Sequence, residues 1–108
     1  MYVLPRVNVI DNEHDVIIEA ELPGVAKDGV ELELKDGELT LVGHAAREAD
    51  ARGRRHINER PNADYKRTFA VSEAAIDTGK VKADMTNGLL TITLPKSERV
   101  IPKRIAVN

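Results

Sequence analysis

Few side chains in this chain are placed to do chemistry. The histidines, His14, His44 and His56, are scattered through the sequence without the spacing of a metal-ligand set. There is no cysteine, which removes thiol catalysis, disulfides and thiolate zinc sites, and fits a reducing, cytoplasmic setting. Glu19, Glu21, Glu31 and Glu33 alternate with apolar residues. That is the pattern of a solvated sheet face rather than of a paired acid and base. Neither a Gly-x-Ser-x-Gly elbow nor a glycine-rich phosphate loop is present. No catalytic residue, metal site or cofactor is therefore expected. The arginines Arg47, Arg52, Arg54, Arg55 and Arg60 are not interleaved with aromatics, so stacking on nucleic-acid bases has no platform. With 16 Lys+Arg against 18 Asp+Glu and a net charge of −2, electrostatics gives no case for nucleic acid.

The elements that carry these residues read as strands. Val16, Ile18, Ala20 and Leu22 share one face of a segment ended by Pro23-Gly24. Val30, Leu32 and Leu34 alternate strictly, and Asp36-Gly37 turns the chain into Leu39–His44. Tyr65–Val71 and Val81–Met85 are further strands, and Asn87-Gly88 is a strong hairpin signal before Leu89–Leu94. A first strand is expected at Arg6–Ile10, turning at Asp11-Asn12. About seven short strands with regular turns predict an antiparallel sandwich of two sheets. The one weak helical signal is Ser72–Asp77, where Ser72-Glu73 would cap a single short turn.

At 108 residues the chain is one small domain. Tyr2, Tyr65 and Phe69 are its whole aromatic complement, so the core must be aliphatic. A thin core of that kind invites self-association. No apolar run approaches the roughly 20 residues that span a bilayer, so membrane insertion is not expected.

Three features do not fit a plain sandwich. Arg67 falls on the same face as Tyr65, Phe69 and Val71. Its guanidinium must either snorkel to solvent or meet an anionic partner, such as one across a dimer seam. Residues 47–62 are long for a hairpin connection and hold one large apolar residue, Ile57. They form either a solvated loop or a short strand around Arg55–Ile57 that pairs outside its own sheet. In the tail, Pro95 and Pro102 interrupt regular structure, and Ile105 and Val107 form an extended i, i+2 pair. That pair is either a frayed end or a segment suited to adding onto an exposed sheet edge.

Several of these segments together resemble the small heat shock proteins and their α-crystallin domain. Ala83 to Lys96, read as A-D-M-T-N-G-L-L-T-I-T-L-P-K, is similar to the family's A-x-x-x-N-G-V-L-T-I-x-L-P-K signature. Glu21-Leu22-Pro23-Gly24-Val25 resembles its leucine-proline-glycine turn. Gly37–Gly43 resembles the strand after its fourth, and Tyr65–Phe69 its aromatic-x-Arg-x-Phe strand. Ile105-Ala106-Val107 is similar to its I-x-I/V tail motif. The resemblance runs from about residue 5 to residue 108. Ser72 departs from a common proline, and Asn62-Ala63-Asp64 from a glycine-containing turn. The chain also starts almost at the first sandwich strand, where relatives carry a longer apolar arm. That departure counts against large oligomers and full potency.

The resemblance implies an all-β, immunoglobulin-like antiparallel sandwich of about seven strands, plus a short exchanged strand in the long loop. Residues 1–4 would be a residual arm, 5–95 the sandwich with 47–62 as dimerisation loop, and 96–108 a C-terminal extension. Arg55, His56 and Ile57 would cross to pair with the partner's Arg6–Ile10. The seam would involve Arg6, Val7, Val9, Arg55, His56, Ile57 and Arg67. Tails of the family dock between its fourth and eighth strands, a groove edged here by Val30, Leu32 and Leu34 on one side. Val81, Ala83 and Met85 edge the other. The implied activity is ATP-independent holding of unfolding client proteins by homodimers and higher homo-oligomers, without cofactor. The alternative is a monomeric sandwich adaptor, similar to a co-chaperone domain, that docks on one folded partner.

Overall fold

The computed structural model describes residues 2–45, 64–98 and 105–107. Eight strands follow in order: β1 Tyr2–Val3, β2 Arg6–Asp11, β3 Asp15–Glu21, β4 Val25–Lys35, β5 Glu38–Ala45, β6 Asp64–Ala70, β7 Lys82–Thr86 and β8 Leu89–Pro95. They form two four-stranded sheets, ordered β1-β6-β5-β4 and β2-β3-β8-β7. This is an immunoglobulin-like β-sandwich. All pairings are antiparallel except the short contact of β1 with β6.

Register puts the aliphatic rows face to face. Across one sheet Val9, Ile18, Ile92 and Ala83 stand in a row, and beside them Val7, Ala20, Leu90 and Met85. Across the other, Leu32 pairs with Leu41 and Leu34 with Leu39, while Leu41 pairs onward with Arg67 and Leu39 with Phe69. The core between the sheets contains Ile18, Ala20, Leu22, Leu39, Leu41, Leu90, Ile92 and Leu94, each at most 3% exposed. The outer faces carry the alternating polar residues, Glu31 and Glu33 among them. One-residue slips would invert this arrangement, so the period-two pattern fixes the register.

The two hairpins fall where the dipeptides predict. Asp36 and Gly37 have φ of 51° and 76°, and Asn87 and Gly88 have 49° and 78°. Positive φ at both central residues defines the type I′ turn, whose twist matches that of the flanking strands. The second hairpin also anchors the neighbouring turn, because Leu22 N–H donates to the Gly88 carbonyl at 2.7 Å.

Several sequence expectations are corrected in detail. The fourth strand begins at Val25, not Val30. It pairs Val25 with Ala45, then crosses a bulge before Val30 meets Gly43. The region 72–77 is no helix: Ser72 to Ala75 makes one turn, closed by Ala75 N–H on the Ser72 carbonyl at 3.0 Å, and a 3-10 turn follows at Thr78–Lys80. Val81 precedes β7 rather than opening it. Ahead of β2, Tyr2 and Val3 pair with Asp64 and Tyr65. The expected strand at Arg55–Ile57 lies outside the described residues.

Candidate functional site

Among the described residues the sandwich has two open rims. At one, β4 and β7 are the edge strands of opposite sheets and lie against each other. An edge strand presents unpaired backbone donors and acceptors. Beside those edges stand Val30, Leu32 and Leu34 from β4, with Val81 and Met85 from the β7 side. All five are partly buried and packed on the core. Ala83 points inward by register, opposite the fully buried Ile92, yet is exposed. Its side chain is smaller than those of Val81 and Met85, which flank it on the same face. These six residues are the ones the resemblance assigns to the groove. The tail pair is bare, with Ile105 85% and Val107 94% exposed.

At the other rim, β2 is an edge strand, and β6 is covered only at Asp64 and Tyr65 by β1. Arg6 and Val9 are exposed and Val7 is half-buried. Arg67 lies on the inner face opposite the buried Leu41, as alternation predicts. Its stem is half-buried, and its guanidinium carbon sits 5.3 Å from the centre of the Phe69 ring. Among the described residues no carboxylate lies within ion-pair range of it. With Arg6, Val7, Glu19 and Glu21 it lines a cleft of about 440 Å³. Above this cleft is an apolar cavity of about 580 Å³ walled by Val9, Ile18, Phe69 and Leu94, among others. Sequence reasoning missed this cavity, because it arises from the spreading of two sheets at their margin. Of the remaining seam residues, Arg55, His56 and Ile57 lie outside the described residues.

The polar contacts are structural ties. His44 Nε2 lies 2.9 Å from Glu31 Oε2, while Ala45 N–H donates to Asp64 Oδ1 at 3.0 Å. These two contacts link β4, β5 and β6 where the chain leaves and re-enters residues 46–63. Lys96 donates to Asp11 Oδ1 and to the Asn12 carbonyl, both at 2.6 Å, tying the β2–β3 turn to the end of β8. Nothing in the spacing of these residues announces such pairs. Among the described residues no group of three His, Asp or Glu side chains converges to hold a metal ion. Also among the described residues, no helix is long and apolar enough to cross a membrane.

Among the described residues the geometry is that of a scaffold with two open rims and no converged reactive centre, and comparison with known proteins gives the class. The profile of the Hsp20/alpha crystallin family matches residues 8–108. Heat shock protein 16 of Schizosaccharomyces pombe is 34% identical over 96% of this chain and 75% of its own length. A probable 15 kDa heat shock protein of Leptospira interrogans is 32% identical over 96% and 78%. Among solved structures, heat shock protein 16.0 from S. pombe superposes with a TM-score of 0.73 at 34% identity, covering 98% of this chain and 99% of that one. A small heat-shock protein from Xylella fastidiosa, described as having a distinct high order structure, gives 0.72 at 26% identity over 100% and 99%. The chain belongs to the Hsp20/α-crystallin family of small heat shock proteins. Members of that family are ATP-independent chaperones and not enzymes, which agrees with the catalytically empty sequence.

Proposed function

We propose that this chain is a holdase: it binds unfolding proteins without nucleotide and prevents their aggregation, working in the cytoplasm as an assembly of its own copies. One observation carries the reading. The β4–β7 rim offers two strand edges beside partly buried aliphatic residues, while the chain's own apolar pair, Ile105 and Val107, stands exposed. An extended segment laid along this rim would gain backbone hydrogen bonds, and its alternate side chains would pack over the small, exposed Ala83. Burying two such side chains yields about 1.5–3 kcal/mol each before ordering costs. That masks the groove without locking it. Unfolding clients expose similar segments, and their exposed apolar surface supplies the driving force.

The unit of assembly in this reading is a homodimer. Arg55, His56 and Ile57 of one copy extend the sheet at the partner's β2 edge, across Arg6, Val7 and Val9. Arg67, turned inward at that rim without a described carboxylate in ion-pair range, would meet an anionic group of the partner across the seam. Tails then join dimers into larger homo-oligomers. Neither nucleic acid nor membrane insertion enters this scheme. The test removes Pro102–Asn108. The assembly mass by sedimentation should fall, and suppression of client aggregation by light scattering should change with it. If both stay as in the full chain, the tail has no such role.

A further inference from the structure

The cavity at the second rim has no part in the holding of clients proposed above. It encloses about 580 Å³, its walls include Val9, Phe69, Val71, Ile76 and Leu94, and its one charged lining residue is Lys96. Val9 stands in the inward row with Ile18 and Ile92. Ile18 is 3% exposed and Ile92 fully buried, but Val9 is 53% exposed. An inward β-branched side chain left this bare lacks the cover that Ile18 and Ile92 have.

The chain itself passes this spot. After β8, Lys96 forms a bridge with Ile76. Ser97 N–H donates to the Ala75 carbonyl at 2.8 Å, and Ser97 Oγ donates to the Ala74 carbonyl at 2.9 Å. Ala75, Ile76 and Lys96 all line the cavity. The tail therefore leaves the described segment at Glu98, on the cavity's lip. The first large apolar residues beyond it are Val100 and Ile101. At roughly 3.3–3.6 Å per residue, both lie within about 14 Å of Ser97. Lys96 is already bonded to Asp11 and the Asn12 carbonyl, so an uncharged occupant suits this margin.

We propose that the occupant of this cavity is the Val100-Ile101 pair of the chain's own tail. Held by a short tether, the pair is present at an effective concentration of about millimolar or more, which a separate partner must outcompete.

The native chain has no cysteine, so an engineered pair reports cleanly. The Val9→Cys/Val100→Cys variant is oxidised and run without reductant, beside a Val9→Cys/Lys103→Cys control. The expected result is a crosslink within one chain, at monomer mass and several-fold above the control. No crosslink, or one at dimer mass, overturns the proposal. A second readout leaves Val9 intact: Val100→Ser/Ile101→Ser should shift the methyl resonances of Val71 and Ile76, and unshifted methyls overturn the proposal as well. Sedimentation of the same samples reports dimer integrity separately, so failure of the dimer reading is distinguishable from failure of this one.

Discussion

Single residues in this fold act through burial and backbone conformation. Ile92 is fully buried in the row between Ile18 and Ala83. Ile92→Ala should cost about 2–5 kcal/mol, read as a lower midpoint in urea unfolding. Gly88 carries a different constraint. Its φ is +78°, and a Cβ there would meet the Leu22 carbonyl oxygen at an ordinary 3.5 Å. The obstacle is conformation, not space. Gly88→Ala should cost about 1 kcal/mol and Gly88→Asn clearly less, because asparagine tolerates left-handed backbone. Equal losses in thermal melts would contradict this account of the turn. These residues were legible in the sequence, since Asn-Gly and strict alternation are local signals. The inward placement of Arg67 was legible for the same reason. The His44–Glu31 and Lys96–Asp11 pairs were not, because each joins positions far apart in the chain.

At the scale of elements, strands with a clean period of two stood out, and those defined by distant pairing did not. Val25–Gly29 shows no alternation, yet it extends β4 by pairing with Ala45 beyond a bulge. Tyr2–Val3 is too short to read as a strand and exists through its contact with β6. The Ser72–Asp77 segment lost its helical signal to the hydrogen bonds that tie it to Ser97 and Pro95. The groove residues follow from register once β4 and β7 are known to be edges. A labelled peptide of residues 102–108 should bind the domain with a Kd of about 0.1–1 mM, as two small aliphatic side chains allow after ordering costs. Fluorescence anisotropy measures it. Ala83→Phe should weaken that binding at least roughly tenfold by placing a bulky side chain on the rim, while the melting temperature holds, because Ala83 is exposed.

The whole molecule is a small sandwich whose stability rests on aliphatic packing, with apolar surface and unpaired strand edge left at both rims. Edges of this kind lead to aggregation unless they are covered. In the proposed scheme the covers are pieces of this chain and its copies, and they yield to an unfolding client. Ile57→Asp places a charge on the one large apolar residue of 47–62. It should convert dimers to monomers in sedimentation, and an unchanged mass would move the seam elsewhere. The central claim concerns the groove. It is tested most directly by heating an aggregation-prone client without ATP and following light scattering in the presence of the native chain or the Ala83→Phe variant. The native chain should hold scattering low, and the variant, equally folded, should lose most of that protection. Equal protection by both would contradict client binding at the β4–β7 rim.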